Sequence, residues 1–315
     1  MAQPNIKPIF LLADSQLLFW RGKETPLMER IRKLMEQDKP EGPFKAAYIG
    51  ASNGDKPEFY DIFLAAVSQV GIPSEDCRLI PSKKTNPKDL KFLEEADFIL
   101  LAGGSIEKGW NIIKEKFQQR IVDRYYKGAV LMGISAGAVQ LGLKGWKEGK
   151  RPVEGLFETF QIVPAVIDVH NEESDWHDLA TMVDYLGSFN RGFGIPYGGG
   201  AVYHPDWSFE AIRHHLVEFA FVKLEDNNVT FKRSLIIPGE PTGPTEPPPT
   251  PSPEALEALT ASEQPGIYRP TSPVNMPPES VVIDTEPVAP SPVKTGKKES
   301  KKTNKTKKTS KAKKK

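Results

Sequence analysis

Short apolar, β-prone runs recur along the chain at Ile9–Ala13, Ala46–Ile49, Phe98–Ala102, Ala129–Ile134 and Ile162–Asp168. The segments between them carry apolar residues at helical spacing. One is Glu58–Val70, entered through Asn53-Gly54-Asp55-Lys56-Pro57. Another is Ile106–Tyr125, where Ile106, Trp110, Ile113, Phe117 and Ile121 fall three or four apart on one face, which predicts a single long helix. Apolar runs alternating with amphipathic helices predict an α/β fold, with a mainly parallel sheet sandwiched by helices. Two later runs, His215–Leu224 and Val229–Ile237, flank Glu225-Asp226-Asn227-Asn228 and read as a closing antiparallel hairpin.

The pattern stops near Ile237. Of the 29 prolines, 16 lie in residues 238–293, and Tyr268 is the only aromatic residue after 238. Such a stretch buries too little apolar area to offset the entropy of ordering it, so it is expected to be a disordered linker. Pro253–Ala261 has the composition of a helix but too few turns to be stable alone. Residues 294–315 hold 12 lysines and one glutamate, a net of +11. The whole chain of 315 residues carries +1, so residues 1–293 carry 1 − 11 = −10. The lysine tail, also expected to be disordered, serves either as a solubilising segment or as a contact for a polyanion. The organisation expected is therefore one folded domain over 1–237, a Pro-rich linker over 238–293 and a Lys-rich tail over 294–315. No run of about 18 apolar residues occurs, so no membrane-spanning helix is expected. The start lacks a basic stretch followed by an apolar one and a small-residue cleavage site, which points to the cytoplasm. The lone Cys77 excludes an internal disulfide and a cysteine-based zinc cluster. No cofactor is implied, and the sequence does not fix an oligomeric state; a homodimer is compatible with it.

The chemistry concentrates in Gly128–Gln140. An apolar run ends in Gly133-Ile134-Ser135-Ala136-Gly137, and a helix-compatible segment follows. This is G-x-S-x-G in a strand–turn–helix setting, a sharp turn that presents Ser135 at the carboxyl edge of the sheet. The amide of Ala136 would face an oxyanion there. A serine needs a base. His170 ends the run Ile162–His170 and should stand at the same sheet edge as Ser135, with His177 as second choice. An orienting carboxylate would come from Glu148, Glu154, Glu158 or Asp168, among which the residues alone do not choose. His170, Glu173 and His177 are spaced to share a helical face, yet they match no recognised metal motif, so no metal site is expected.

These residues resemble the dipeptidase E and cyanophycinase family of serine peptidases over about residues 8–205. The likeness rests on Tyr48–Asp55, on Ala96-Asp97 through Gly103-Gly104-Ser105, on Gly133–Ala138, on Ile162–His170, and on Phe193–Pro196 followed by Ala201-Val-Tyr. The resemblance implies a flavodoxin-like, glutamine-amidotransferase-like α/β sandwich. It implies Ser135 as nucleophile, His170 as general base, and the amides of Gly104 and Ala136 as oxyanion hole. It favours Glu148 as the third member, with Glu154 as runner-up, and it implies hydrolysis of small peptides by a dipeptidase or cyanophycinase-like exopeptidase.

The chain departs from the family in two places. No arginine follows His170 before Arg191; Asn171-Glu172-Glu173-Ser174-Asp175-Trp176-His177-Asp178 stands there instead. Gly194-Ile-Pro-Tyr-Gly-Gly-Gly200 replaces the family's G-I-D-E stretch. A preference for aspartyl dipeptides, or for cyanophycin, therefore does not follow. The acidic cluster reads as a negatively charged first helical turn; a site for a cationic substrate is the alternative. A non-hydrolytic ligand-binding protein on the same fold is the competing function. A glutamine amidotransferase fails because the elbow carries serine rather than cysteine.

Overall fold

The computed structural model describes residues 5–21, 25–150, 152–187, 190–223 and 229–239. The Pro-rich linker beyond Gly239, the Lys-rich tail and the Glu225–Asn228 turn lie outside the described residues.

Five short strands lie parallel: β1 (Ile9–Leu12), β2 (Ala46–Ile49), β3 (Cys77–Leu79), β4 (Phe98–Leu101) and β5 (Val130–Ile134). The first, second, fourth and fifth match the apolar runs of the sequence. Lys144–Trp146 (β6) and Leu156–Glu158 (β7) form a separate small hairpin. Val166–Val169 (β8), Arg191–Ile195 (β9), Gly200–Tyr203 (β10), Phe209–Ile212 (β11), Leu216–Lys223 (β12) and Val229–Ile236 (β13) complete the set. The main sheet has seven strands in the order β11-β10-β1-β5-β4-β2-β3, with β10 and β11 antiparallel at one edge. A second sheet runs β13-β12-β9-β8. Its β12–β13 pair is the antiparallel hairpin expected from the sequence, in register from Leu216↔Ile236 to Lys223↔Val229.

The strands are apolar on both faces because both faces are covered. Phe10, Leu12, Ala46, Tyr48, Phe98 and Leu100 pack beneath α1 (Leu27–Glu36) and α2 (Pro57–Ser68). The alternate residues Ile9, Leu11, Ala47, Ile49, Ile99 and Leu101 face the other way. There they meet α3 (Pro87–Glu95), α4 (Ile106–Lys116), α5 (Gln118–Tyr126) and α6 (Ala136–Leu141). The second sheet joins this face through Ile167, Phe193, Ile195 and Leu216, and its far side is covered by α7 (His177–Leu186).

Two expectations change. The helix expected over Ile106–Tyr125 is two helices, divided at Phe117, whose φ of −126° and ψ of −21° are not helical. The hydrogen bonds still run through it, from Phe117 N to Ile113 O (2.8 Å) and from Ile121 N to Phe117 O (3.0 Å). The apolar stripe is thus continuous and hides the break. The run Ile162–Asp168 becomes a strand only from Val166, after Pro164, and that strand pairs with β9 in the second sheet. His170 therefore does not share a sheet with Ser135.

Arg30 on α1 holds Glu210 on β11 through two hydrogen bonds of 2.9 Å, and His204 Nε2 lies 3.0 Å from the same carboxylate. Burial alone would raise the Glu210 carboxyl; the hydrogen bonds from His204 and Arg30 outweigh it and hold the group at about 2, below the ordinary 4.5. A depressed carboxyl stabilises the fold above its unfolded value and loses that contribution as pH falls toward the folded one. Glu210→Gln should accordingly lower stability by about 1–3 kcal/mol at neutral pH. Denaturant melts between pH 6 and pH 2 should show wild type and variant converging as the pH drops below the ordinary carboxyl range.

Candidate active site

Ser135 occupies the turn between β5 and α6 with φ 49° and ψ −113°, a conformation that side chains rarely adopt. It is held from both sides. Its N–H donates to Leu12 O (2.8 Å), and its carbonyl accepts from Ala138 N (2.9 Å) and Val139 N (3.1 Å). The flanking glycines are required by space. A Cβ on Gly133 would lie 2.5 Å from the carbonyl of Gly137, and one on Gly137 would collide with the Leu101 carbonyl of β4. The helix can leave this tightly, lifting the serine out of the core, only because both Cβ atoms are missing.

The neighbouring loop is built the same way. Gly104 has φ +135°, and a Cβ there would strike the carbonyl of Ser52. Ser105 N donates to that same Ser52 carbonyl (2.9 Å), which locks the loop after β4 against the loop after β2. Beneath both lies Gln140 of α6, fully buried. Its Nε2 donates to Ser52 Oγ (3.0 Å) and to Ile106 O (2.9 Å). The elbow helix, the Ser52 loop and the start of α4 thus form one hydrogen-bonded unit. The amides of Gly104 and Ala136 have no hydrogen-bond partner among the described residues.

These loops enclose a cavity of about 680 Å³. It is lined by residues following the carboxyl ends of β1 (Ala13, Asp14), β2 (Ala51, Ser52), β4 (Gly103, Gly104) and β5 (Ser135), the usual ligand position in an open α/β sheet. His170 lines the same cavity, arriving from β8 of the second sheet. It sits at φ 59°, its N–H donates to Ile195 O (3.2 Å), and its ring stands 5.5 Å from that of Tyr197.

Of the sequence candidates, Ser135, His170 and Gly104 line one cavity, with Ala136 buried directly behind the serine. Glu148 and Glu154 are not. Both are exposed on the connection between β6 and β7, and neither lines the cavity. His177 opens α7 and does not line it either. Asp168 is buried, at 2% exposure. Burial raises its carboxyl to about 6 against the opposing hydrogen bonds from Asn171 and Val169, and those bonds brace the turn that carries His170. Among the described residues no three His, Cys, Asp or Glu side chains converge as metal ligands.

Of the acidic cluster, Asp178 lies in the first turn of α7 as expected, and Glu172 and Glu173 do not. Glu172–Ser174 is a separate 3-10 turn rather than the first turn of α7. Glu172 accepts from Tyr197 N (2.9 Å), and Asp175 pairs with Arg233 at 2.8 Å. None of these acids lines the cavity, whose cationic side chains are Lys56 and Lys108. The sequence reading passed over both lysines, and Tyr197 as a lining residue, because nothing local distinguishes them from surface residues.

A strained serine at a strand–helix elbow, a histidine on the same cavity and two free amides define the class, a serine hydrolase on a mainly parallel α/β sheet. The sequence model of peptidase family S51 matches residues 9–198. The chain belongs to that family and is a serine-type peptidase, a hydrolase of peptide bonds. A peptidase from an acI-B1 Actinobacterium has a similar fold, with a TM-score of 0.57 at 17% identity over 76% of this chain and 97% of that one. A candidate peptidase E protein from Listeria monocytogenes EGD-e aligns over 66% of this chain and 98% of its own, with a TM-score of 0.47 and 14% identity. No curated protein matches the sequence. No helix among the described residues is long and apolar enough to cross a membrane.

Gly104→Ala tests the loop geometry. It forces a Cβ into the Ser52 carbonyl at a φ that favours glycine, so about 1–3 kcal/mol of stability should be lost. Thermal melting beside peptidase assays should show activity falling further than the loss of folded protein accounts for.

Proposed function

We propose that the chain hydrolyses small peptides through an acyl-enzyme on Ser135, with His170 as general base. The observation that carries this reading is the shared cavity: the strained serine, the histidine and the Gly104 loop line one space at the carboxyl edge of the sheet. Ser135 Oγ would attack the scissile carbonyl while His170 takes its proton. The oxyanion would receive hydrogen bonds from the Gly104 and Ala136 amides. Collapse expels the amine, which takes up the proton that His170 received from Ser135. A water deprotonated by His170 then releases the acid and restores Ser135. Lys56 and Lys108 both line the cavity. They suit the free carboxylate of a short peptide, which favours exopeptidase or dipeptidase action.

Ser135→Ala should abolish hydrolysis, with a rate loss of about three orders of magnitude or more, and leave the fold intact. His170→Ala should match it, because the two residues act as a unit. A fluorophosphonate probe should label the wild type and neither variant. Undiminished turnover in Ser135→Ala would remove the nucleophile from the proposal.

The proposal keeps Glu148 as the acid that orients His170, with Glu154 second, on the resemblance to the family. Glu148→Gln should then lower kcat more mildly than His170→Ala, and Glu154→Gln should be silent. The reverse result in steady-state kinetics would transfer the role to Glu154. A non-hydrolytic ligand-binding protein is the second reading. The placement of both glutamates outside the cavity that holds His170 favours it, and failure of the probe to label the wild type would select it.

A further inference from the structure

Two aromatic rings stand open in the cavity without serving the fold. The first is Phe59. The buried stripe of α2 consists of Phe63, Ala66 and Val67, and Phe59 continues it one turn toward the helix start. The core ends before that turn, so Phe59 is 45% exposed and lines the cavity instead. The second is Tyr197, 57% exposed, in the turn between β9 and β10. Its N–H donates to Glu172 (2.9 Å), its hydroxyl accepts from Gln16 Nε2 (2.8 Å), and the next amide, of Gly198, donates to Asp14 (2.5 Å). A ring so exposed is thereby fixed in place beside His170. The position is one where the chain departs from the sequence pattern of its family.

The rest of the wall agrees. Ser105, the N-cap of α4, and Lys108 and Ile112 within it line the cavity at spacings of three and four, while Trp110 and Ile113 of that helix face the core. Ile134 adds apolar surface next to Ser135. An exposed ring held in place in a concave site, as Tyr197 is, binds apolar groups with little further entropy loss, and Phe59 adds a second apolar surface to the same cavity.

We infer that the cavity is selective for peptides bearing an aromatic or large aliphatic side chain, which packs against Phe59 and Tyr197. The inference rests on the reading of Ser135 and His170 as the reacting pair, since Tyr197 stands beside His170 and so places that side chain next to the scissile bond.

The test separates binding from turnover. The full chain carrying Ser135→Ala is titrated calorimetrically with Ala-Ala, Ala-Phe, Phe-Ala, Ala-Leu and Ala-Asp, and the wild type is assayed for turnover on the same peptides. The peptides with phenylalanine or leucine should bind about tenfold or more tighter than Ala-Ala and Ala-Asp. Adding Phe59→Ala or Tyr197→Ala should reduce that ratio severalfold, and Tyr197→Phe, which keeps the ring, should preserve it. Melting temperatures should stay near that of the parent, because both rings are exposed. Equal binding of Ala-Phe and Ala-Ala, binding of none of the peptides, or a preference that survives removal of both rings would overturn the inference. Failure of the nucleophile assignment has another signature, turnover that persists in Ser135→Ala while the binding preference remains.

Discussion

The site depends on one close crossing of backbones. Strand β5 ends against β1 through the bond from Ser135 N to Leu12 O, and α6 leaves so tightly that Gly133 meets Gly137 and Gly137 meets the Leu101 carbonyl of β4. Three strands and a helix start therefore converge within a few ångströms. The cost of that convergence falls on Ser135, which is held at a positive φ. Surrounding hydrogen bonds and packing over-determine the strained residue, as such residues require.

The Gly104 loop inherits its position from the same unit. Gln140 belongs to the elbow helix, yet its side chain binds Ser52 Oγ and the Ile106 carbonyl. Ser52 in turn holds Ser105 through its carbonyl, and Gly104 fits only because it lacks a Cβ. A buried polar side chain with its bonds made is rigid, and leaving one unmade is costly. Ser135, the Ser52 loop and the helix that carries Lys108 are thus placed together rather than independently.

The histidine wall is a separate construction. His170 and Tyr197 come from the second sheet, whose β8 and β9 lie beneath α7. Asp168, Asn171 and Glu172 tie the turn after β8 to itself and to Tyr197. The site therefore lies where two sheets meet over a shared apolar face, with Ser135 on one and His170 on the other. An offset between the sheets would separate the pair without altering either local motif.

The parallel strands β1, β2, β4 and β5 were legible because strands buried on both faces must be apolar throughout. The elbow was legible because its glycines and serine are consecutive in the chain. The apolar stripe from Ile106 to Ile121 was equally visible, but not the break at Phe117, since burial preserves the spacing whatever the local φ. Strand β9, Arg191-Gly-Phe-Gly-Ile195, carries no apolar run that marks it as a strand; a Cβ on Gly194 would enter the Trp176 ring, and that contact exists only once α7 has packed. The sequence by itself determined the α/β class, the serine and its turn, and a histidine at a strand end. Tertiary structure alone decided that this histidine comes from another sheet, that Glu148 and Glu154 stand outside the cavity, and that Lys56, Lys108, Phe59 and Tyr197 line it. Those four residues come from three separate chain segments, and a local pattern carries no information about which segments the packing of two sheets will bring to one space.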